Sequence, residues 1–221
     1  MRIVCLLAAM IRSKNTVLAF LALACVAAGL SAERIRNHFD ADGLTLPPAF
    51  FDFAVLGAPG PASWKVLSAE NVPSPTRYLS QVQPKRPADS IAVAVRRNVL
   101  FEDGTVSVAL QRRPSRAGIA FRIADDSNFR VLLVDMASGD ARLAAYENGK
   151  PAELARGHAN LDRDWSVLEI VTNGARILAR WNGQALLDSA DPKSAAGRAG
   201  VATAGPGMAG FDEFILEPQA K

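Results

Sequence analysis

Two patterns of apolar residues divide the chain. From Val17 to Leu30 it reads VLAFLALACVAAGL, fourteen residues without a charge. Beyond Ala32 no long segment keeps a 3.6-residue period. Short runs alternate apolar with polar positions instead, at intervals of about 8 to 12 residues, which is the signature of an all-β sandwich. Thr105 to Gln111 places Val106, Val108 and Leu110 on one face; Gly118 to Ala124 does the same for Ile119, Phe121 and Ile123, with Arg122 opposite. Phe129 to Met136 is apolar on both faces, as a central strand would be. Ala141 to Tyr146, Trp165 to Thr172, Ile177 to Trp181 and Phe211 to Glu217 continue the series.

Turn chemistry supports the same reading. Asn148-Gly149, Asn173-Gly174 and Asn182-Gly183 each separate two such runs. Asn-Gly accepts the positive φ of a type I′ turn, whose twist matches that of flanking antiparallel strands. The three signals predict a meander from about residue 140 to 190. Glu33 to Ser63 is different, being broken by Pro47, Pro48, Pro59 and Pro61. It reads as an extended N-terminal arm wrapping the sandwich, with short edge strands near Phe51 to Val55 and, just beyond it, Trp64 to Leu67. No internal repeat or linker is evident, so residues 64–221 form one sandwich domain with the arm, 33–63, packed on it.

The apolar run at the start is an address. Arg12 and Lys14 precede it, and Leu30-Ser31-Ala32 offers small residues for cleavage before Glu33. This is the layout of a helical secretory signal peptide over residues 1–32, and the run is shorter than the roughly 20 residues of a membrane span. Met10 to Lys14 is the more compact basic region, which points to Met10 as the start. The expected location is the periplasm or the medium; an uncleaved segment would instead anchor the protein to a membrane. Removing this segment also removes Arg2, Arg12 and Lys14 and leaves 22 basic against 22 acidic residues. A neutral chain argues against a nucleic-acid partner, which needs clustered Lys and Arg. Cys5 and Cys25 lie in the same segment, so the mature protein has no disulfide, thiol nucleophile or thiolate metal site. With only His38 and His158, a three-histidine zinc site is excluded, and neither sits near a nucleophile-elbow pattern.

Gly118-Ile-Ala-Phe-Arg122, Asp125-Asp-Ser-Asn-Phe129, Ala141-Arg-Leu143, Glu147-Asn-Gly-Lys150, Trp165, Asn182-Gly183 and Phe211-Asp-Glu-Phe214 follow in order. This series resembles the concanavalin A-like lectin/glucanase jelly roll, in its bacterial 3-keto-disaccharide hydrolase-like branch, from Trp64 to Glu217. The resemblance implies two curved antiparallel sheets, with sugars bound on the concave face or its rim loops. Members of that branch often carry an Arg and an Asn where this chain has Leu133 and Asp135.

Retaining glucanases of this jelly roll carry Glu-x-Asp-x-x-Glu on one strand, which aims two carboxylates at the cleft. The motif is absent. In the adjacent pairs Glu102-Asp103, Asp125-Asp126 and Asp212-Glu213, alternation sends the two side chains to opposite faces. The sequence therefore reads as an exported carbohydrate-binding or interaction module, with a hydrolase or lyase for 3-keto or otherwise modified glycosides as the alternative. No cofactor is required. Asp125 and Asn128 read either as a turn capped by side-chain oxygens or as weak calcium ligands, completed by Asp40 or Asp212.

Trp64, Trp165 and Trp181 could stack on a sugar or pack the core; Trp181 joins the candidate ligand set because it ends a strand at a tight turn. Arg122, opposite the apolar face of its strand, and Arg142, which shares a face with Ala144 and Tyr146, are expected to flank a groove. Tyr146 is the stacking surface, and Asp135 lies on the face of Phe129, Val131 and Leu133. A glycan or small sugar is the expected partner. Intact mass of the exported protein should place its N-terminus at or near Glu33, with no titratable thiol. A species that keeps residues 17 to 32 and partitions with membranes would show the anchor instead.

Overall fold

The computed structural model describes residues 33–193 and 195–219, so the predicted signal peptide lies outside the described residues. The described chain is all β, without a helix, and no helix among these residues is long and apolar enough to cross a membrane. Fifteen strands form two antiparallel sheets. They are β1 (Ile35–Asn37), β2 (Phe51–Gly57), β3 (Trp64–Ser68), β4 (Arg77–Gln81), β5 (Ser90–Arg96), β6 (Gly104–Gln111), β7 (Arg116–Ile123), β8 (Phe129–Asp135), β9 (Asp140–Glu147), β10 (Lys150–His158), β11 (Trp165–Asn173), β12 (Arg176–Trp181), β13 (Gln184–Ala190), β14 (Arg198–Ala204) and β15 (Ala209–Pro218). One sheet runs β13-β12-β11-β6-β15-β4-β3, with β1 also paired to β15; the other runs β10-β9-β8-β7-β14-β5-β2.

The predicted strands form, and the predicted meander divides. β9 and β10 make a hairpin in the seven-stranded sheet, whereas β11, β12 and β13 belong to the eight-stranded one. Asn148-Gly149 and Asn182-Gly183 have positive φ at both positions, as type I′ turns require. The third turn is different. Asn173 pairs with Arg176, so the loop is Gly174-Ala175 with positive φ at Gly174 alone. That is the pattern of a type II′ turn, which needs glycine first.

The segment 33–63 does more than wrap the outside. β1 pairs with β15 and β2 pairs with β5 along its whole length, so the segment adds a strand to each sheet. Phe39 and Phe51 enter the core between the sheets, where Phe51 meets Phe214 edge to face. Residues just before β2 also cover the edge of β3: Thr45 N donates to Val66 O and Val66 N to Leu46 O, at 2.8 and 2.9 Å. On the far side, edge strands β10 and β13 approach each other, with Ser189 Oγ donating to Leu154 O and Gly157 close to the Leu186 carbonyl. These contacts cover part of the β3, β10 and β13 edges, which blunts them against pairing with another chain.

The core between the sheets holds Phe101, Phe121, Phe211, Phe214, Trp64 and Trp181. A second cluster lies on the outer, concave face of the seven-stranded sheet: Leu56, Ile91, Val93, Val95, Ala120, Ile123, Phe129, Val131, Ala202 and Ala204. The sheet curls to bury it, so that the end of β2 reaches the β7–β8 turn, Gly57 N donating to Asp126 O at 3.5 Å. Two glycines of the curved strands permit close backbone approach. A Cβ at Gly118 would lie 1.9 Å from Leu132 O, and one at Gly200 would lie 2.1 Å from Ala94 O.

Asp212 is fully buried where β15 bulges, with Glu213 at positive φ. It accepts hydrogen bonds from the Ser74 and Glu213 amides, and Ser74 Oγ lies 2.8 Å from its Oδ2. Burial outweighs these donors and, with the charge of Glu213, raises its pKa from 3.8 to about 6. The folded state therefore binds this proton more tightly than the unfolded chain. Its contribution is favourable below about pH 4 and is lost as pH rises through about 6, a cost of about 3 kcal/mol. Asp212→Asn should flatten that slope. Urea unfolding at pH 4 and pH 7, read as wild type minus variant, isolates this group from carboxylates of opposite trend such as Asp191.

Candidate functional site

On the concave face, β7, β8 and β9 leave a cavity of about 400 Å³ outside the second core. Arg116, Val131, Leu133, Asp135, Asp140, Arg142, Ala144 and Tyr146 line it. Cross-strand register explains the grouping. Arg116 stands opposite Asp135, Leu133 opposite Arg142, Val131 opposite Ala144, and Phe129 opposite Tyr146. Directly opposed residues share a face, so alternation along three adjacent strands delivers these side chains to one surface.

Tyr146 stacks on Phe129 with ring centroids 4.3 Å apart and planes 11° from parallel. Burial raises the Tyr146 pKa, as does the charge of Asp89, while Arg116 opposes them. The phenol therefore stays protonated at neutral pH and can donate a hydrogen bond. Asp135 Oδ1 accepts the Ala137 and Ser138 amides at 2.9 and 3.3 Å, which fixes the carboxylate at the β8–β9 turn. Arg116 Nη2 donates to Ala88 O, holding the 87–89 loop against the wall. Behind it, buried Arg86 donates to Thr203 O and Oγ1. Burial, and then the charge of Arg116, lowers the Arg86 pKa to about 10. Arg142 is exposed, with no ion pair among the described residues.

Asp135, Arg142 and Tyr146 are thus brought together. Arg122 is not. Alternation placed it on the concave face, but β7 carries a bulge there: two residues, Phe121 and Arg122, stand opposite Ala199 alone, and Arg122 has φ 49°. The bulge returns Ile123 to the concave cluster and turns Arg122 into the end of the sandwich, 4% exposed. Arg122 donates to Glu102 O and Gly174 O and faces Asp103 and Asp191. Arg130 binds the same Asp191 through both carboxylate oxygens, at 2.6 and 3.1 Å. Burial would raise the Asp191 pKa, but the hydrogen bonds and charge of Arg130, and the charge of Arg122, hold it below the usual carboxylate range.

Trp181 also leaves the predicted set. It is buried in the core between the sheets, with Nε1 donating to Asn160 O at 2.8 Å. Trp64 packs on Phe211 in the same core, and Trp165 meets Tyr78 edge to face on the opposite side of the eight-stranded sheet. Asp125 and Asn128 form a capped turn. Asp125 accepts from the Ser127 amide and from Asn128 Nδ2, while Asn128 Oδ1 accepts the Asn148 amide. Asp40 and Asp212 are engaged elsewhere, with His38 and Ser74, and no group of three or more His, Cys, Asp or Glu gathers among the described residues. Two lining residues, Arg116 and Asp140, escaped the sequence reading. Arg116 is signalled only by its opposition to Asp135, which needs the strand register, whereas Asp140 shares a face with Arg142 by alternation, a signal that the sequence carries but that was not used.

No family model and no curated protein matches the chain. Among solved structures, a carbohydrate-binding module from Bacillus subtilis superposes with a TM-score of 0.53 at 16% identity, over 68% of this chain and 92% of that one. A β-glucanase of Bacillus licheniformis gives 0.52 at 12% identity, over 82% and 96%. A Clostridium perfringens endo-β-galactosidase that releases GlcNAcα1-4Gal gives 0.53 at 10% identity, over 85% and 62%. The chain has the concanavalin A-like lectin and glucanase fold. In this concanavalin A-like sandwich, much of the concave face is filled by its own side chains, and the cavity above β7 to β9 lies beside that filled part.

Arg122→Ala should act on folding. It leaves Asp191 with one arginine in place of two and strips donors from Glu102 O and Gly174 O. Breaking a buried ion pair from one side typically costs about 3–5 kcal/mol. Chemical denaturation should show a loss of that order; a loss below about 1 kcal/mol would mean that Arg122 is not a structural member of the cluster.

Proposed function

We propose that the protein is an exported, non-catalytic carbohydrate-binding or interaction module, and that it takes a neutral sugar in the concave cavity. One observation carries this reading: Tyr146, Arg116, Arg142 and Asp135 converge on a single cavity of about 400 Å³, within the range of small-ligand sites. Arginine supplies several hydrogen-bond donors in a planar fork and carboxylate supplies acceptors. The lining carries two of each, Arg116 and Arg142 against Asp135 and Asp140. Such a balanced set suits hydroxyls, which both donate and accept, better than a charged ligand. The apolar floor of Val131, Leu133 and Ala144 suits the CH face of a pyranose. The fold is shared with a carbohydrate-binding module, which supports the assignment without naming a sugar.

Hydrolysis or elimination on a modified sugar is the second reading, favoured by the two carboxylates, Asp135 and Asp140, on the wall of the same cavity. The environments argue against an acid–base pair. A general acid needs a site that raises its pKa, usually by apolar burial. The Asp140 side chain is 62% exposed, and Asp135 is committed to two backbone amides.

A glycan array followed by incubation of hits with and without EDTA separates the readings. Retention without product is expected; product release would establish the second reading, and loss of retention with EDTA a metal-dependent site. Arg142→Ala should weaken retention by about tenfold or more while changing stability by no more than about 0.5 kcal/mol, as at most exposed positions. Unchanged retention in the Arg142→Ala, Tyr146→Ala double variant would remove the cavity from consideration.

A further inference from the structure

Beside the cavity, the concave face is closed on one side and open on the other. Along the sheet order, β14, β5 and β2 lie beyond β7; the concave-face side chains of β14 and β5 level with the cavity are buried, whereas on β2 Leu56 is buried and Asp52 and Ala54 stay accessible. Ala202 and Val93 are wholly buried, Ile91, Val95 and Leu56 nearly so, and all belong to the second core with Ala120 and Phe129. A polymer laid across the strands would have to displace that core to continue in this direction. The curl adds a wall. At the end of β2, Gly57 N donates to Asp126 O across the concave face, and a Cβ at Gly57 would already touch the Tyr146 ring, at 3.8 Å.

The opposite side is open. β10 is the edge of this sheet, and its residues registered against the cavity lining are exposed: Pro151 opposite Tyr146, Glu153 opposite Ala144, Arg156 opposite Arg142 and His158 opposite Asp140. Glu153 lies within the field of Arg142, which helps to lower its pKa after the larger effect of its bond to Arg156. Polar side chains therefore continue outward from the cavity over β10, whereas apolar side chains close it toward β14.

Resting on the carbohydrate-binding reading above, we infer that the cavity recognises the terminal unit of a glycan, or a mono- or disaccharide, and not the interior of a chain. The end unit sits between Arg116 and Tyr146, and the remainder of the chain leaves over β10 past Glu153 and Arg156. The enclosed volume matches this, since it is that of a small-ligand pocket and not of a cleft crossing the sheet.

Isothermal titration of the wild-type protein tests this with three probes of one linkage, repeated for α- and β-linked glucans: a disaccharide, a longer linear oligosaccharide and a cyclic glucan, which has no end. The linear probes should bind within about threefold of each other per chain, and the cyclic glucan should bind at least about tenfold more weakly. Cyclic and linear probes of equal affinity, or per-chain affinity rising more than about tenfold with length, would overturn chain-end recognition and leave carbohydrate binding standing. If neither these probes nor any array glycan is retained, both readings fall. A Glu153→Ala, Arg156→Ala double variant should weaken the longer linear probe and leave the disaccharide unchanged; equal weakening of both would place these residues inside the terminal subsite and overturn the proposed exit.

Discussion

Strands β5, β7, β8 and β14 carry apolar side chains on both faces, so one sheet has two surfaces that must leave water. The inner surface is satisfied by the eight-stranded sheet in the usual way of sandwiches. For the outer surface the described residues supply no third layer, and the sheet provides the cover itself by curling until β2 meets the β7–β8 turn. Glycine at 118 and 200 lets neighbouring backbones come close enough for that curvature. The bulge at Arg122 shifts Ile123 to the concave side, where it completes the second cluster. The cavity lies where the curl stops, with the end of β2 as one of its walls.

Polar clusters fix two other parts of the sandwich. Asp191 is held between Arg130 and Arg122, and Asp212 is held by Ser74 and the Glu213 amide. Buried charges of this kind are worth little against a well-packed apolar alternative, yet losing one partner is severe. Their value here is positional. Arg130 also donates to Tyr146 O and Phe129 O, which ties the ion cluster to the backbone carrying the stacked ring pair. Arg122 meanwhile binds Gly174 O at the β11–β12 turn, pinning one sheet to the other. The cavity wall thus stands on strands whose ends are locked by charge-assisted hydrogen bonds, the stronger class.

Similarity of fold to both binding modules and hydrolases leaves chemistry to the side chains. A glucanase of this architecture needs two carboxylates projected from one strand at a set spacing. In this chain the cavity's carboxylates come from the end of β8 and the start of β9, on either side of a turn, where one caps that turn and the other faces solvent. The arrangement suits hydrogen bonding to hydroxyls better than proton transfer to a glycosidic oxygen.

Alternation in the sequence by itself located β6, β7, β9, β11, β12 and β15 and placed Arg142 and Tyr146 toward one surface, because period-two geometry is local; that Asp135 joins them was decided by the register of β8 against β7 and β9. Asn-Gly pairs determined two of the three hairpins for the same reason: the positive φ that they require is a property of those residues. β5 and β14 were not legible, since Ser90-Ile-Ala-Val-Ala-Val and Arg198-Ala-Gly-Val-Ala-Thr-Ala are buried on both faces and show no polar alternation to read. The division of the 140 to 190 meander between two sheets was likewise invisible, because turn signals fix a hairpin and not its neighbours. Arg122 and Trp181 were misplaced for a related cause. A bulge changes parity only when a facing strand supplies one residue against two, and a tryptophan at a turn is buried only when Asn160 comes across to accept its proton. The one-sided form of the cavity was decided by the tertiary structure alone, through a curl that brings Gly57 to Asp126 and Tyr146 across a face that strand periodicity treats as open.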